Sequence, residues 1–190
     1  MILQSTREAI EWAVALHGDQ KRKGSDIPYL FHLLAVASLV ADHDGTETEI
    51  VAAILHDAIE DAGGSDLASA IRERFGPEVL AIVDACSDAR EIPKPPWRDR
   101  KTAFVDSLSG ASDSTKLVVA ADKIHNATCT IRNLRLRGAE VWSLFRGGRD
   151  GTLWYYDSVL AALRDGWSHP VLHELDAAVR ELHELADLTP

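Results

Sequence analysis

The sequence predicts an all-α fold, and three observations carry that expectation. Apolar residues recur three and four positions apart through most of the 190 residues, the period of a helix that buries one face. Glycines and prolines fall between those segments far more than inside them, as helix ends require. No stretch alternates apolar and polar residues over a strand's length; the one candidate, LVVAA at 117–121, is a continuous apolar run inside a longer helical pattern. A single domain over residues 1–190 is expected, built as a bundle of about eight to ten helices.

Each element has its own justification. Ser5 or Thr6 can cap a first helix that runs to about residue 17, with Ile10, Ala13, Val14 and Leu16 on its buried stripe. Residues 18–31 hold two glycines, a proline and a charge run, and read as a loop. A second helix is expected over 32–42 and a third, unbroken, over 46–62, closed by Gly63-Gly64. Ser65 or Asp66 restarts the chain, and Gly76-Pro77 interrupts it after Phe75. The segment SDAREIPKPPW at 87–97 places three prolines within four residues; these fix extended backbone and remove amide donors. As the longest loop, between two helical halves, it suits a substrate lid. Helices are then expected over 99–108, 114–135, 139–145, 151–164 and 171–187.

Bulk properties exclude several classes. Apolar residues make up 46% of the chain, an ordinary globular share. There is no run of 18 apolar residues, and the opening MILQSTREAIEWAVALH carries acids within its apolar segment. Neither a membrane span nor a secretory signal is expected, and the cytoplasm is the expected compartment. Cys86 and Cys129 are far apart and form no CxxC motif, which fits small buried thiols in a reducing environment. A net charge of −10 argues against general nucleic-acid binding, which depends on neutralising phosphates. It leaves room for a phosphorylated small molecule, where a bound cation and local basic residues decide. Basic residues cluster at Lys21-Arg22-Lys23, at Arg98 with Arg100-Lys101, and from Arg132 to Arg137; each cluster is either a solvated patch or a phosphate contact. Trp12 and Trp142 read as packing residues, and Trp97 as either a loop anchor or a base-stacking group.

The chemistry concentrates in a His-Asp doublet, His56-Asp57, followed within one turn by Glu60 and Asp61. His32 lies upstream and Asp122 downstream, all within otherwise apolar helical stretches. Such groups are costly to bury alone, and a divalent cation is the economical partner for two imidazoles and two carboxylates. Mixed nitrogen and oxygen ligation with open positions suits manganese or iron better than a closed structural zinc site. Asp122, His125 and Asn126 form a second set spaced by three and four; His125 is either a hydrogen-bond donor to a metal-bound carboxylate or a core histidine. His17, ending the first helix beside the basic loop, reads as a helix-end cap or a substrate neighbour. His43, His169, His173 and His183 have no comparable acidic partners in the sequence.

The runs HGDQKRKGSDIPYLFH (17–32), ILHDAIED (54–61) and ADKIHN (121–126) resemble, in order, the hydrolase half of the RelA/SpoT-type alarmone enzymes, and more closely the stand-alone small alarmone hydrolases. The resemblance covers about residues 5–166. It implies an HD-domain helical bundle and a manganese-dependent hydrolase of the stringent response that removes the 3′-pyrophosphate of guanosine tetra- and pentaphosphate. It implies His32, His56, Asp57 and Asp122 as metal ligands, and Glu60 with Asp61 as the pair that orients or deprotonates the attacking water. Arg22 and Lys23 match the basic pair against the nucleotide, Asn126 the amide at its sugar-phosphate region, Arg100 and Lys101 a basic pair near the pyrophosphate, and Tyr156 a tyrosine bordering the pocket. The chain departs from the family in an extra residue between Lys23 and Pro28, in Gly18-Asp19-Gln20, and in Cys129 where long members have threonine. Two other readings stand beside this one. The first is an HD-type phosphatase acting on NADPH or a nucleoside monophosphate, since a shared core does not fix the substrate. The second is a non-catalytic sensor that retains the scaffold.

Overall fold

The computed structural model describes residues 4–62, 65–88 and 93–188, with the backbone alone for 61, 62 and 65. It is all-α, as expected. In order, the helices are α1 (Gln4–His17), α2 (Leu30–Asp42), α3 (Glu47–Leu55), α4 (Ala58–Ala62), α5 (Ser65–Phe75), α6 (Pro77–Cys86), α7 (Trp97–Leu108) and α8 (Asp113–Arg137). A 3-10 helix, Gly138–Leu144, α9 (Gly148–Arg164) and α10 (Val171–Leu188) complete them. Among the described residues the only strand-like pairing is one isolated bridge between Lys21 and Pro28. The run at 117–121 lies inside α8. No described helix is long and apolar enough to cross a membrane.

The chain forms two compact units. The first comprises Met1–Lys94 with Ala111–Val119, the second Pro95–Gly110 with Ala120–Pro190. In the first, α3 is the hub: α1, α2 and α6 pack on it, and α5 packs on α6. Every residue from Val51 to Leu55 is buried, as are Leu33, Val36 and Val40 of α2 and Val79, Ile82 and Val83 of α6. In the second unit α9 packs on α7, on α10 and on the 3-10 helix. Its core is built from Leu153, Val159 and Leu163 of α9 with Leu175, Val179 and Leu182 of α10.

Three local features set the helices that matter for the site. The buried row of α1 is Ala9, Ala13 and His17, a strict i, i+4, i+8 line, so the expected stripe is rotated and Val14 is 48% exposed. A capping box opens α3: the Glu49 N–H donates to Thr46 Oγ1 at 3.4 Å, and the Thr46 N–H donates to Glu49 Oε2 at 2.7 Å. The turn before it is tight, with Asp44 at φ 61° and the Gly45 N–H on Val40 O at 2.9 Å. A Cβ at Gly45 would sit 2.4 Å from Val40 Cγ1, so only glycine fits.

The third predicted helix is the principal correction. The expectation of one helix over 46–62 fails at His56-Asp57, where α3 ends and a turn leads into the short α4. His56 keeps helical angles (φ −59°, ψ −30°) as the C-terminal cap of α3. Its ring, however, takes the Ala53 carbonyl at 2.8 Å, a partner from the preceding turn. A side chain that competes for helix carbonyls loosens the regular ladder. Elsewhere the boundaries shift by a few residues: α7 begins at Trp97, α8 runs from Asp113 to Arg137, and α9 begins at Gly148. The helix expected over 139–145 is the 3-10 helix. Cys86 and Cys129 are half-buried thiols rather than buried ones.

Candidate metal centre

In the first unit, α2 and the end of α3 drive two imidazoles into the core. His32 is 1% exposed and His56 3%. The His56 Nδ1 hydrogen points at the Ala53 carbonyl, which can only accept. Nε2 therefore carries the lone pair in the neutral ring, the tautomer a metal ligand needs. That Nε2 lies 3.0 Å from Asp57 Oδ2, and His32 Nε2 lies 3.6 Å from the same oxygen. The two rings meet edge to face with centroids 5.2 Å apart.

The ligand atoms of His32, His56 and Asp57 all fall within 4.8 Å of one another. Atoms sharing one cation at ~2.0–2.2 Å are no more than about 4.4 Å apart, so a small side-chain adjustment would let all three reach a single ion. A lone pair facing a carboxylate oxygen at 3.0 Å is an arrangement that a positive charge, proton or metal, reconciles. The donor set thus fits a divalent cation with imidazole and carboxylate ligands.

Two groups beside this cluster were not singled out in the sequence. Tyr29 donates its phenol hydrogen to Asp57 Oδ2 at 2.5 Å. Its ring stacks on His17, centroids 5.4 Å apart and planes 26° apart, and packs in a T-shaped arrangement with His32, centroids 5.2 Å apart. His17, expected as a helix-end cap, is instead buried, and its Nδ1 donates to Gln20 Oε1 at 2.7 Å. The second group is Lys94 of the proline-rich segment, whose Nζ donates to Glu60 Oε1 at 3.0 Å. A tyrosine three residues before a histidine at a helix start reads as packing, and a lysine between prolines reads as loop charge; neither carries a periodic signal.

The other predicted residues are placed as follows. Glu60 lies on α4, beyond the turn at His56-Asp57, so it does not share one continuous helix with the doublet. Asp61 is on α4 as well, but its side chain lies outside the described residues, as does the Gly63-Gly64 stop. Arg22 is half-buried with its guanidinium 5.7 Å over the Tyr29 ring, whereas Lys23 is exposed. Beside them Lys21 pairs with Asp26 at 2.7 Å.

In the second unit, Asp122 is 7% exposed. Its Oδ1 accepts from Asn126 Nδ2 and its Oδ2 from Lys123 Nζ, both at 2.5 Å. Burial opposes the charge on Lys123, yet Asp122 beside it, together with Tyr155 and Tyr156, holds the ammonium well above the ordinary lysine range. Asp122 is thus oriented by two donors, and Asn126, expected at the nucleotide, here grips that carboxylate. His125 is half-buried, its Nε2 3.6 Å from Cys129 Sγ. Arg100 is buried and donates from Nε to Pro95 O at 3.2 Å, while Lys101 Nζ sits 4.7 Å over the Tyr155 ring. Tyr156 is buried. Trp97 packs against Trp154 and Tyr155, with centroids 6.2 and 6.5 Å away, and serves as an anchor for the start of α7. Trp12 and Trp142 pack as expected, Trp12 on Phe75 and Trp142 near Phe145.

Comparison with known proteins bears on this centre. The family model described as "HD domain" matches residues 9–153, more than half of the chain and all of the motif-bearing segments. The chain belongs to the HD domain family. The resemblance read from the motifs is borne out by HD domain relatives. Guanosine-3′,5′-bis(diphosphate) 3′-pyrophosphohydrolase MESH1 of Xenopus tropicalis is 34% identical over 139 residues, 72% of this chain and 73% of that protein. A probable GTP pyrophosphokinase of Mycobacterium leprae is 34% identical over 125 residues, 65% of this chain but only 16% of that longer protein. Among solved structures, one described as a metazoan ortholog of SpoT that hydrolyzes ppGpp has a TM-score of 0.77 at 24% identity. It covers 95% of this chain and 96% of its own, and the likeness establishes a shared HD domain fold.

Proposed function

We propose that this HD domain, acting as a single functional unit over residues 1–190 in the cytoplasm, hydrolyses the 3′-pyrophosphate of guanosine tetra- and pentaphosphate. The products are GDP or GTP and pyrophosphate. The observation that carries the reading is the convergence of His32, His56 and Asp57 within 4.8 Å in a chain 34% identical to a protein named for that activity. His32, His56, Asp57 and Asp122 would hold manganese, and the bound ion would supply Lewis-acid polarisation of phosphate and acidification of water.

The remaining chemistry falls to the chain's own side chains. Glu60, assisted by Asp61, accepts a proton from the attacking water, and Lys94 on Oε1 helps to orient that carboxylate. Water oxygen bonds to the phosphorus attached at the 3′ position, the bond from that phosphorus to O3′ breaks, and O3′ takes up a proton. Arg100 and Lys101 neutralise the pyrophosphate, and Arg22 and Lys23 hold the nucleotide, since charge stabilisation dominates catalysis at phosphorus. Asn126 contacts the sugar-phosphate region and Tyr156 borders the pocket.

Product analysis tests the reading. Purified protein loaded with manganese is incubated with guanosine tetraphosphate, NADPH and nucleoside monophosphates, and the products are separated by anion-exchange chromatography. Pyrophosphate and GDP in equal amounts are expected from the tetraphosphate. Orthophosphate from NADPH or a monophosphate, with the tetraphosphate untouched, would overturn the proposed substrate.

A further inference from the structure

We infer that Tyr29 is a positioning residue for the metal centre: its phenol hydroxyl aims Asp57 Oδ2 at the space between the His32 and His56 rings. The inference rests on the proposed function, because it assigns a role toward the same ion. Asp57 lies in the turn between α3 and α4, and its side chain is 19% exposed. Neither helix geometry nor full burial therefore fixes its carboxylate. The Tyr29 hydrogen bond at 2.5 Å falls on Oδ2, the oxygen that faces both imidazoles at 3.0 and 3.6 Å. An O–H donor on a carboxylate is charge-assisted, among the stronger hydrogen bonds a neutral side chain makes.

Tyr29 is itself held from several sides. Its backbone N–H donates to Gln20 O at 2.8 Å. His17 stacks on the ring, His32 packs against it in a T-shaped arrangement, and the Arg22 guanidinium lies 5.7 Å over it. His17 in turn is fixed through Nδ1 by Gln20. A phenylalanine would make the same ring contacts. What tyrosine adds is a donor whose position is set before any ion arrives, and partners of this kind behind a metal ligand raise affinity by about 10- to 100-fold.

Tyr29→Phe separates the donor from the packing. Manganese binding is measured by titration calorimetry on the full chain, melting is followed without metal, and guanosine tetraphosphate turnover is measured across a manganese series. The expected result is a cooperative metal-free melt at a modestly lower temperature, since one hydrogen bond to Asp57 is lost, and manganese binding weaker by about 10- to 100-fold. Most of the lost turnover should return at saturating manganese. Equal manganese affinity in the two proteins, with wild-type hydrolysis intact, would overturn the inference and leave the functional reading standing. A wild-type protein that binds no manganese would overturn both. Should Tyr29→Phe fail to fold, a crystal structure of the manganese-loaded wild type decides. Tyr29 Oη within hydrogen-bond distance of the Asp57 carboxylate supports the role, and a separation beyond about 3.5 Å rejects it.

Discussion

His56 shows how one backbone carbonyl can select a side chain's chemistry. Because Ala53 O takes the Nδ1 hydrogen at 2.8 Å, the ring offers Nε2 to Asp57 and to any cation that joins them. The residue types of this cluster were legible in the sequence, since a buried His-Asp doublet with a distant histidine demands a partner. The donors were not: no spacing announces Tyr29 on Asp57 or Lys94 on Glu60 in the first unit, or Lys123 on Asp122 in the second. The division of labour gives a paired prediction. Asp57→Ala removes an oxygen of the converging set and should abolish manganese binding and hydrolysis together. Glu60→Ala removes the proposed proton acceptor and should keep manganese affinity while turnover falls by about 10²- to 10⁴-fold. Calorimetry beside steady-state rates checks both, and loss of the ion in Glu60→Ala would reassign that residue.

At the scale of elements, the helices around the site were readable from period and caps, whereas the break at His56-Asp57 was not. ILHDAIED contains no glycine or proline, so nothing in local propensity ends a helix there. The interruption coincides with the His56 side chain taking up a carbonyl of the preceding turn. What fixes the start of α3 is visible in the sequence as Thr46-x-x-Glu49, and the capping box is formed. Thr46→Ala should destabilise the fold by about 1 kcal/mol, read as a lower urea midpoint at unchanged slope. Turnover per folded molecule should stay at the wild-type level. A second element-scale constraint ties the 144–148 turn to α7. A Cβ at Gly147 would stand 2.6 Å from the Trp97 ring, and that indole anchors the first turn of α7. Gly147→Ala forces the ring aside and should cost about 1–3 kcal/mol, the range for overpacking a filled space, with denaturant melts as the measurement.

For the whole molecule, the sign of the charge and the placement of function point in different directions until a cation is included. A chain of net charge −10 repels a polyanionic nucleotide at long range, yet basic residues and the buried centre can reverse that locally. The sequence also left unseen that the chain forms two compact units, because helical periodicity reveals which face is buried and not against which neighbour. Bringing two imidazoles and a carboxylate together without the ion carries a cost in the folded state that the ion removes, and the unfolded chain cannot gather the same donors. Manganese should therefore bind the native state selectively and stabilise it. At a free concentration 100 times the dissociation constant, that linkage amounts to about 2.7 kcal/mol, or roughly 5–10 °C in melting temperature for a chain of this length. Differential scanning calorimetry with manganese and then with excess chelator should display the shift and its reversal. Magnesium, which prefers oxygen ligands and dehydrates reluctantly, should give a smaller shift at equal concentration. Asp57→Ala should show none with either ion. A manganese shift of full size in Asp57→Ala would mean that the stabilising ion binds elsewhere on this acidic surface and that the His32–His56–Asp57 cluster is not its site.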